Sequence, residues 1–157
     1  MVEQKDAPVD LGILLGLGYQ AFVDQLRADL KAHGFDDLGG DYGYVFRVLA
    51  DQPLSQRELA RRLGITDQGM AKIVSEMVER RYVERHADPD DSRVNRLRLG
   101  ARGRAALRAA RRFHAAFESE LRRDLGESAV RRLRETLDRI AQRGGDADAA
   151  RSRLRPM

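Results

Sequence analysis

Apolar and polar side chains between Thr66 and Met77 follow the period of an α-helix. Four apolar residues recur at positions i, i+3, i+4 and i+7 and predict one buried face: Met70, Ile73, Val74 and Met77. The opposite face displays small or polar residues: Gln68, Gly69, Ala71, Lys72, Ser75 and Glu76. Glutamine can hydrogen-bond adenine through two atoms, lysine can reach guanine acceptors or phosphate, and alanine can contact a thymine methyl. This face suits the reading of base edges in a DNA major groove, and the alternative is an ordinary solvated face.

The residues before this helix predict a shorter helix and a tight turn. Ser55 followed three residues later by Glu58 forms a capping box, in which the hydroxyl and the carboxylate each satisfy a free backbone N–H. Gly64 ends this first helix, and Thr66 is placed to cap the second one, where it is a candidate phosphate contact beside free backbone N–H groups. Two short helices joined by such a turn are typical of a helix-turn-helix.

A β-hairpin is predicted after the second helix. Residues 82–85 form its first strand, residues 86–93 are rich in turn residues, and residues 94–99 form its second strand. Arg93 at the tip can enter a DNA minor groove, and the alternative is an exposed hairpin arginine. Arg96 and Arg98 on the returning strand either contact phosphates or form salt bridges on the strand face.

Helix, turn, helix and hairpin is the order of a winged helix, and four stretches make the resemblance specific: residues 65–74, 80–85, 88–93 and 97–99. They resemble the MarR family of bacterial transcription regulators, most clearly in the wing pattern Asp-Pro-x-Asp-x-Arg followed by Gly103. The resemblance covers nearly the whole chain. It implies a mainly α fold with a small β-hairpin wing, and terminal helices that interlock two protomers into a homodimer whose wings straddle the duplex.

The chain departs from the family pattern at several positions. Gly69 and Ala71 stand where hydroxyl residues are common, and Lys72 replaces a more frequent arginine. Arg81 stands where a glycine often turns the chain into the wing, and Gly100 replaces the usual threonine cap of the next helix. These differences bear on the operator sequence and on affinity, not on the fold.

Helical periodicity on both sides of the winged helix predicts the remaining organisation. Residues 11–32 and 42–50 form helices before it, and residues 101–125 form a long helix after it, followed by a final helix. We therefore predict an N-terminal dimerisation helix in residues 1–40 and a DNA-binding lobe in residues 41–100. C-terminal dimerisation helices are predicted in residues 101–145, and a disordered basic tail in residues 146–157.

Composition supports a nucleic-acid partner. The net charge is +4, the pI is about 9.8, and residues 55–104 contain twelve Lys and Arg against eight Asp and Glu. With no cysteine, the chain has no disulfide and no thiol switch. No apolar run is long enough for a membrane span and no secretory leader is evident, which predicts a cytoplasmic protein without membrane contact.

Catalysis has little support in the sequence, and we expect neither an enzyme nor a cofactor nor a metal site. The three histidines are far apart and no nucleophile or phosphate-cradling motif is present. The resemblance implies a pocket for a small aromatic or anionic effector between the dimer helices and the DNA-reading lobe. Plain core packing is the alternative for every candidate lining residue: Tyr19, Phe22, Tyr42, Phe46, Arg47 and His114.

These observations predict a homodimeric regulator that binds double-stranded DNA at a pseudo-palindromic operator and is a repressor released by an effector. One rival is a winged helix used as a protein-binding or dimerising module. Another is an architectural binder without sequence preference, for which steep salt dependence with little discrimination among sequences would be the evidence.

Overall fold

The protein, seen in a computed structural model that describes residues 9–91 and 93–143, is mainly helical with a small sheet. Its elements occur in this order: α1 Leu11–Ala32, α2 Tyr42–Asp51, β1 Leu54–Ser55, α3 Gln56–Leu63, α4 Asp67–Glu79, β2 Val83–Ala87, β3 Asn95–Leu99, α5 Ala101–Leu125 and α6 Glu127–Gln142. The predicted winged-helix fold is confirmed. The chain divides into two compact units at the junction between Asp36 and Asp37. The tail predicted in residues 146–157 lies outside the described residues.

The first unit contains α1, which has the bounds that periodicity predicted. The helix ends where Gly34 adopts a φ of +85°, which lets the Phe35 N–H donate to the Leu30 carbonyl at 2.9 Å. Many of its large apolar side chains are exposed in the single chain: Leu11, Ile13, Leu14, Leu17 and Tyr19. Among the described residues, no helix is both long and apolar enough to cross a bilayer.

The second unit packs helices α2 to α5 around one core beside the sheet. Tyr82 is fully buried, and its ring centroid lies 5.8 Å from that of Tyr42 and 5.6 Å from that of Phe46. Aliphatic side chains of the two short helices and of the central strand complete the core: Leu59, Met70, Val74, Met77 and Leu97. Burial of these apolar side chains holds the two short helices against the wing.

The sheet is antiparallel in the order β1-β3-β2, so the predicted hairpin strands are neighbours. Val83 pairs with Leu99 and Ala87 with Asn95, while Leu54 of β1 pairs with Leu97. The prediction did not include β1, because two residues carry no alternating pattern. The first strand extends over His86 and Ala87, which were predicted in the turn. Tyr82 and Val94, predicted within the strands, lie just before them. Their N–H groups bond instead to the Met77 carbonyl at 2.8 Å and to the Asp91 carbonyl at 3.0 Å.

The wing passes into α5 through a close backbone contact. A Cβ atom at Gly103 would lie 2.1 Å from the Tyr82 carbonyl oxygen, so only glycine allows this approach. The N–H of Gly100 donates to the same carbonyl at 2.9 Å. In the turn before β2, Arg81 adopts the left-handed backbone conformation with a φ of 62°, at the position where the family pattern often has a glycine.

The C-terminal helices have their predicted boundaries near Gly126, whose φ of +86° separates α5 from α6. A salt bridge of 2.7 Å between Glu118 and Arg134 links the two helices. On α6, Leu133 and Leu137 are 43% and 42% exposed in the single chain, so part of the apolar stripe has no cover within the described protomer.

Candidate nucleic-acid interface

The capping box at the start of α3 forms as predicted. The Ser55 N–H donates to the Glu58 carboxylate at 2.7 Å, and the Glu58 N–H donates to the Ser55 hydroxyl at 3.3 Å. Hydrogen bonds from the side chain and the backbone of Ser55 hold the pKa of Glu58 below its usual range. These contacts fix the direction in which α3 leaves β1.

The turn between α3 and α4 is built by Gly64 and Thr66. Gly64 adopts the left-handed conformation with a φ of 66°, and the Ile65 N–H then donates to the Ala60 carbonyl at 3.0 Å. Thr66 caps α4 by accepting the N–H of Gly69 at 3.1 Å. By contrast, Asp41 precedes α2 without a side-chain capping bond.

Helix α4 presents the two faces that its periodicity predicted. Met70, Val74 and Met77 are fully buried, whereas Ile73 was predicted to be buried with them and is partly exposed. The residues with candidate base or phosphate contacts lie on the outward side. Thr66, Gln68, Lys72 and Ser75 are exposed, and Gly69 and Ala71 are partly exposed. We call this outward side the α4 face, and it consists of six residues: Thr66, Gln68, Gly69, Ala71, Lys72 and Ser75.

Glu76, which the sequence placed on the same side of the helix, is not part of the α4 face because it contacts another helix. Its carboxylate accepts a hydrogen bond of 3.4 Å from the Tyr42 hydroxyl, and burial raises the pKa of that tyrosine. At the end of α4, Arg80 donates to the same hydroxyl at 3.1 Å and to the Asp37 carbonyl at 2.6 Å. Polar contacts on its C-terminal half therefore hold α4 against α2.

The loop of the wing is ordered by its aspartates. One carboxylate oxygen of Asp88 accepts the N–H of Asp90 at 2.8 Å and that of Asp91 at 3.3 Å, which confirms the turn chemistry predicted for this segment. Asp91 accepts the backbone N–H of Arg93 at 3.0 Å. The Arg93 side chain is exposed near the wing tip.

Arg96 is placed differently from Arg93, because two carboxylates hold it. Its Nε donates to Asp88, and one of its terminal nitrogens donates to Glu58 at 3.0 Å. The Arg96 guanidinium and the Asp90 N–H hold the pKa of Asp88 below its usual range. Arg96 thus ties the wing to the start of α3, which is the salt-bridge alternative for this residue. Its contact with phosphate stays a prediction.

A polar cluster that the sequence analysis missed links the turn before the wing to α5. Arg102 donates to both carboxylate oxygens of Asp37, at 3.0 and 2.9 Å, and its guanidinium carbon lies 4.5 Å from the Tyr82 ring centroid. The Tyr82 hydroxyl also donates to Asp37. Burial raises the pKa of Asp37, but the bonds from Tyr82 and Arg102 outweigh it and leave the pKa below its ordinary value. No local motif marks such a cluster, because its members are distant in sequence.

The predicted effector-binding residues have different surroundings. Tyr42 and Phe46 are 2% and 3% exposed and pack within the core, while Arg47 is exposed. His114 is partly buried, and burial together with the positive charge of Arg47 lowers its pKa. Tyr19 and Phe22 lie on α1 in the first unit, where Tyr19 is exposed and Phe22 partly exposed. Ligand binding by these residues stays a prediction.

Known proteins match this chain in sequence and in fold. The sequence model of the MarR family matches residues 36–94. The exopolysaccharide II synthesis transcriptional activator ExpG of Rhizobium meliloti (strain 1021) is 27% identical over 100 residues, which are 64% of this chain and 52% of that protein. The chain therefore spans about half the length of this curated relative.

Solved structures share the fold over most of the chain. FabT of Streptococcus pneumoniae in complex with DNA has a TM-score of 0.70 and 20% identity, covering 83% of this chain and 92% of its own. The S. aureus MepR–DNA complex has a TM-score of 0.67 and 17% identity, with coverages of 84% and 96%. The reduced form of MarR from E. coli has a TM-score of 0.65 and 20% identity, with coverages of 86% and 98%.

Proposed function

This chain belongs to the MarR family of transcription regulators, and we propose that it binds a pseudo-palindromic DNA operator sequence-specifically as a homodimer. The α4 face carries the proposal, because it combines exposed hydrogen-bonding side chains with small residues on a helix held from behind. The FabT and MepR structures with this fold are complexes with DNA, which supports the same partner here.

Some residues of the α4 face suit contacts with bases, and Thr66 suits a contact with phosphate. Gln68 suits adenine, Lys72 suits guanine acceptors, and Ala71 suits a thymine methyl. Thr66 accepts the N–H of Gly69 through its oxygen, and its hydroxyl hydrogen can still donate to a phosphate at the helix N-terminus. Gly69 and Ser75 complete the proposed interface. Gly69 has no side chain and so allows the helix to approach the DNA closely.

The wing supplies a second contact with the duplex. Arg93 is exposed, and the backbone bond to Asp91 helps to order the loop that carries it. Arginine inserted in a minor groove gains most where A·T-rich sequence narrows the groove. For Arg96 the ion pairs with Asp88 and Glu58 favour a role in holding the wing over direct contact with phosphate.

Exposed apolar residues on the terminal helices support the proposed homodimer. Large apolar side chains of α1, as well as Leu133 and Leu137 of α6, are exposed in the single chain. We assign dimerisation to residues 1–40 and 101–145, with residues 41–100 as the DNA-binding lobe. In such a dimer, two copies of α4 about 34–36 Å apart read half-sites one helical turn apart.

Repression released by an effector is the regulatory mode that we infer from the family. The alternative is activation, because the R. meliloti relative is named as a transcriptional activator. Transcription from a promoter that carries the operator, measured with and without the purified protein, separates the two. A fall in transcript supports repression, and a rise supports activation.

Arg47 and His114 are the basic members of the proposed effector set, and the positive charge of Arg47 lowers the pKa of the His114 imidazole together with burial. An anionic aromatic ligand would therefore be attracted to this part of the second unit. Benzoate titrated into the protein–DNA complex should weaken binding, and it should do so less in Arg47→Gln. Equal weakening of both proteins would contradict the assignment of Arg47.

Selection of bound duplexes from a random pool tests the proposed function. The purified protein is mixed with the pool and competitor DNA at near-physiological salt. We expect a two-fold-symmetric site with half-sites one turn apart. Recovery of nothing above background would contradict DNA binding and favour the protein-interaction module. Tight, salt-sensitive binding without an enriched sequence would favour an architectural binder.

A further inference from the structure

A row of arginines runs along one side of α5, outside the α4 face and the wing. Arg104, Arg108, Arg111 and Arg112 are all exposed, and their spacing places them on one side of the helix. We call these four residues the α5 basic stripe. It is about 12 Å long at the rise of an α-helix. It begins beside the wing, where Arg104 donates to the carbonyl of Leu99, the last residue of β3.

Three members of the stripe have no carboxylate partner among the described residues. Arg108, Arg111 and Arg112 form no ion pair there. Other arginines of the wing, of α5 and of α6 do form ion pairs with carboxylates: Arg96, Arg102, Arg122 and Arg134. The α5 basic stripe therefore differs from the neutralised arginines of the wing and of the α5–α6 contact. It is a concentrated and uncompensated positive charge.

Repulsion among the arginines of the α5 basic stripe destabilises the helix that carries them. Like charges at i,i+3 and i,i+4, as in Arg104–Arg108, Arg108–Arg111 and Arg108–Arg112, repel each other. The first turn of α5 contains no acidic residue of its own, and its arginines lie toward the positive end of the helix dipole, where positive charge is unfavourable. Glutamine at these positions would favour the isolated helix, which indicates that the positive charge serves an interaction.

The shape of the α5 basic stripe selects an extended polyanion. The N–H groups of a helix interior are engaged within the helix, so no backbone donors surround a compact anion. The side chains stand in a line on a convex surface. About seven phosphates, counting both strands, fall along 12 Å of a DNA duplex axis. The stripe also continues from the end of the wing strand, which is part of the proposed DNA-binding lobe.

We propose that the α5 basic stripe binds phosphates of duplex DNA in addition to those reached by the α4 face and the wing. This inference rests on the proposed function and extends the DNA footprint to α5. Since Arg104 already donates to the Leu99 carbonyl, the three arginines beyond it supply the additional phosphate contacts.

The salt dependence of binding tests this inference directly. The triple variant Arg108→Gln, Arg111→Gln, Arg112→Gln is compared with the wild type on a duplex that extends ten base pairs beyond the selected site on each side. Each phosphate contact contributes about 0.9 to the slope of log K against log salt. Loss of three contacts therefore makes this negative slope shallower by about 2.7. Between 50 and 200 mM salt, the wild type should therefore lose about 40-fold more affinity than the variant.

A matched control separates phosphate contact from a change in net charge. Arg131, Arg132 and Arg139 are exposed on α6, and their replacement by glutamine removes the same charge. This control should keep the wild-type slope. An equal fall in both triple variants would overturn the proposal, as would a wild-type slope in the α5 variant. Both variants are first checked for the wild-type oligomeric state and for helix content by circular dichroism.

Two further results have distinct meanings. A protein that binds DNA without sequence preference would contradict the proposed function. The salt slopes of the wild type and the α5 variant can still be compared on a random duplex, so that result leaves the test of the stripe decisive. Binding to poly-glutamate tests whether the stripe instead binds an acidic protein. If the α5 variant loses affinity for poly-glutamate and keeps the wild-type salt slope on DNA, the stripe binds acidic protein and the proposal is wrong.

Discussion

Removal of the Tyr82 hydroxyl perturbs the cluster around Asp37 and leaves the aromatic core in place. In Tyr82→Phe the ring keeps its contacts with Tyr42 and Phe46, while the oxygen that donates to Asp37 is lost. A hydrogen bond to a charged group contributes about 1.5–3 kcal/mol. The Asp37 side chain is 33% exposed, so water can replace the lost donor. We therefore expect the lower end of that range, about 1.5 kcal/mol.

The loss should depend on pH in a defined direction. Burial raises the pKa of Asp37, and the bonds from Tyr82 and Arg102 lower it further than burial raises it. A carboxyl whose pKa is lowered in the folded state stabilises the fold above its unfolded pKa of about 3.9, and this contribution is lost as pH falls through the folded pKa. The difference between Tyr82→Phe and the wild type is thus complete at pH 7 and shrinks below about pH 4.

Urea denaturation at a fixed protein concentration measures this effect. With a slope of about 2 kcal/mol per molar urea, a loss of about 1.5 kcal/mol lowers the midpoint by about 0.75 M at pH 7. Tyr44→Phe is the matched control, because Tyr44 is 45% exposed on α2 and no described residue accepts a hydrogen bond from its hydroxyl. Equal midpoints for the two variants at pH 7 would refute this account of the cluster.

Two further predictions concern local backbone structure and are checked by thermal melting. Ser55→Ala removes the hydroxyl that accepts the Glu58 N–H and should cost about 1 kcal/mol; an unchanged melting temperature would contradict the cap. Gly103→Ala forces a Cβ against the Tyr82 carbonyl and should cost about 1–3 kcal/mol. Gly43→Ala adds a Cβ that meets nothing within 4 Å and should stabilise α2 by up to about 1 kcal/mol, so equal melting of the two alanine variants would contradict the contact.

The parts of the fold that depend on local chemistry could be predicted from the sequence. The bounds of α1 and α5 agree with their apolar periodicity and terminal glycines. The capping box of Ser55 and Glu58 acts over three residues, so its pattern is complete within one stretch of sequence. The asymmetry of α4 agrees with the spacing of Met70, Val74 and Met77.

Contacts between distant residues could not be predicted in the same way. Asp37 and Arg102 are 65 positions apart, and Glu58 and Arg96 are 38 apart, so no local pattern connects them. For Arg96 the sequence left phosphate contact and salt bridge open, since both need an exposed strand position. Tyr42 and Phe46 show the same limit, because an aromatic residue on an apolar helix face suits both a core and a ligand pocket.

Site selection repeated with the Gln68→Ala and Lys72→Ala variants tests most directly whether α4 reads DNA bases. Both side chains are exposed on the α4 face, so their removal should leave the fold intact. We expect each variant to lose base preference at a symmetric pair of positions, one in each half-site, while the half-site spacing stays one turn. An enriched sequence identical to that of the wild type for both variants would contradict the reading of bases by this helix.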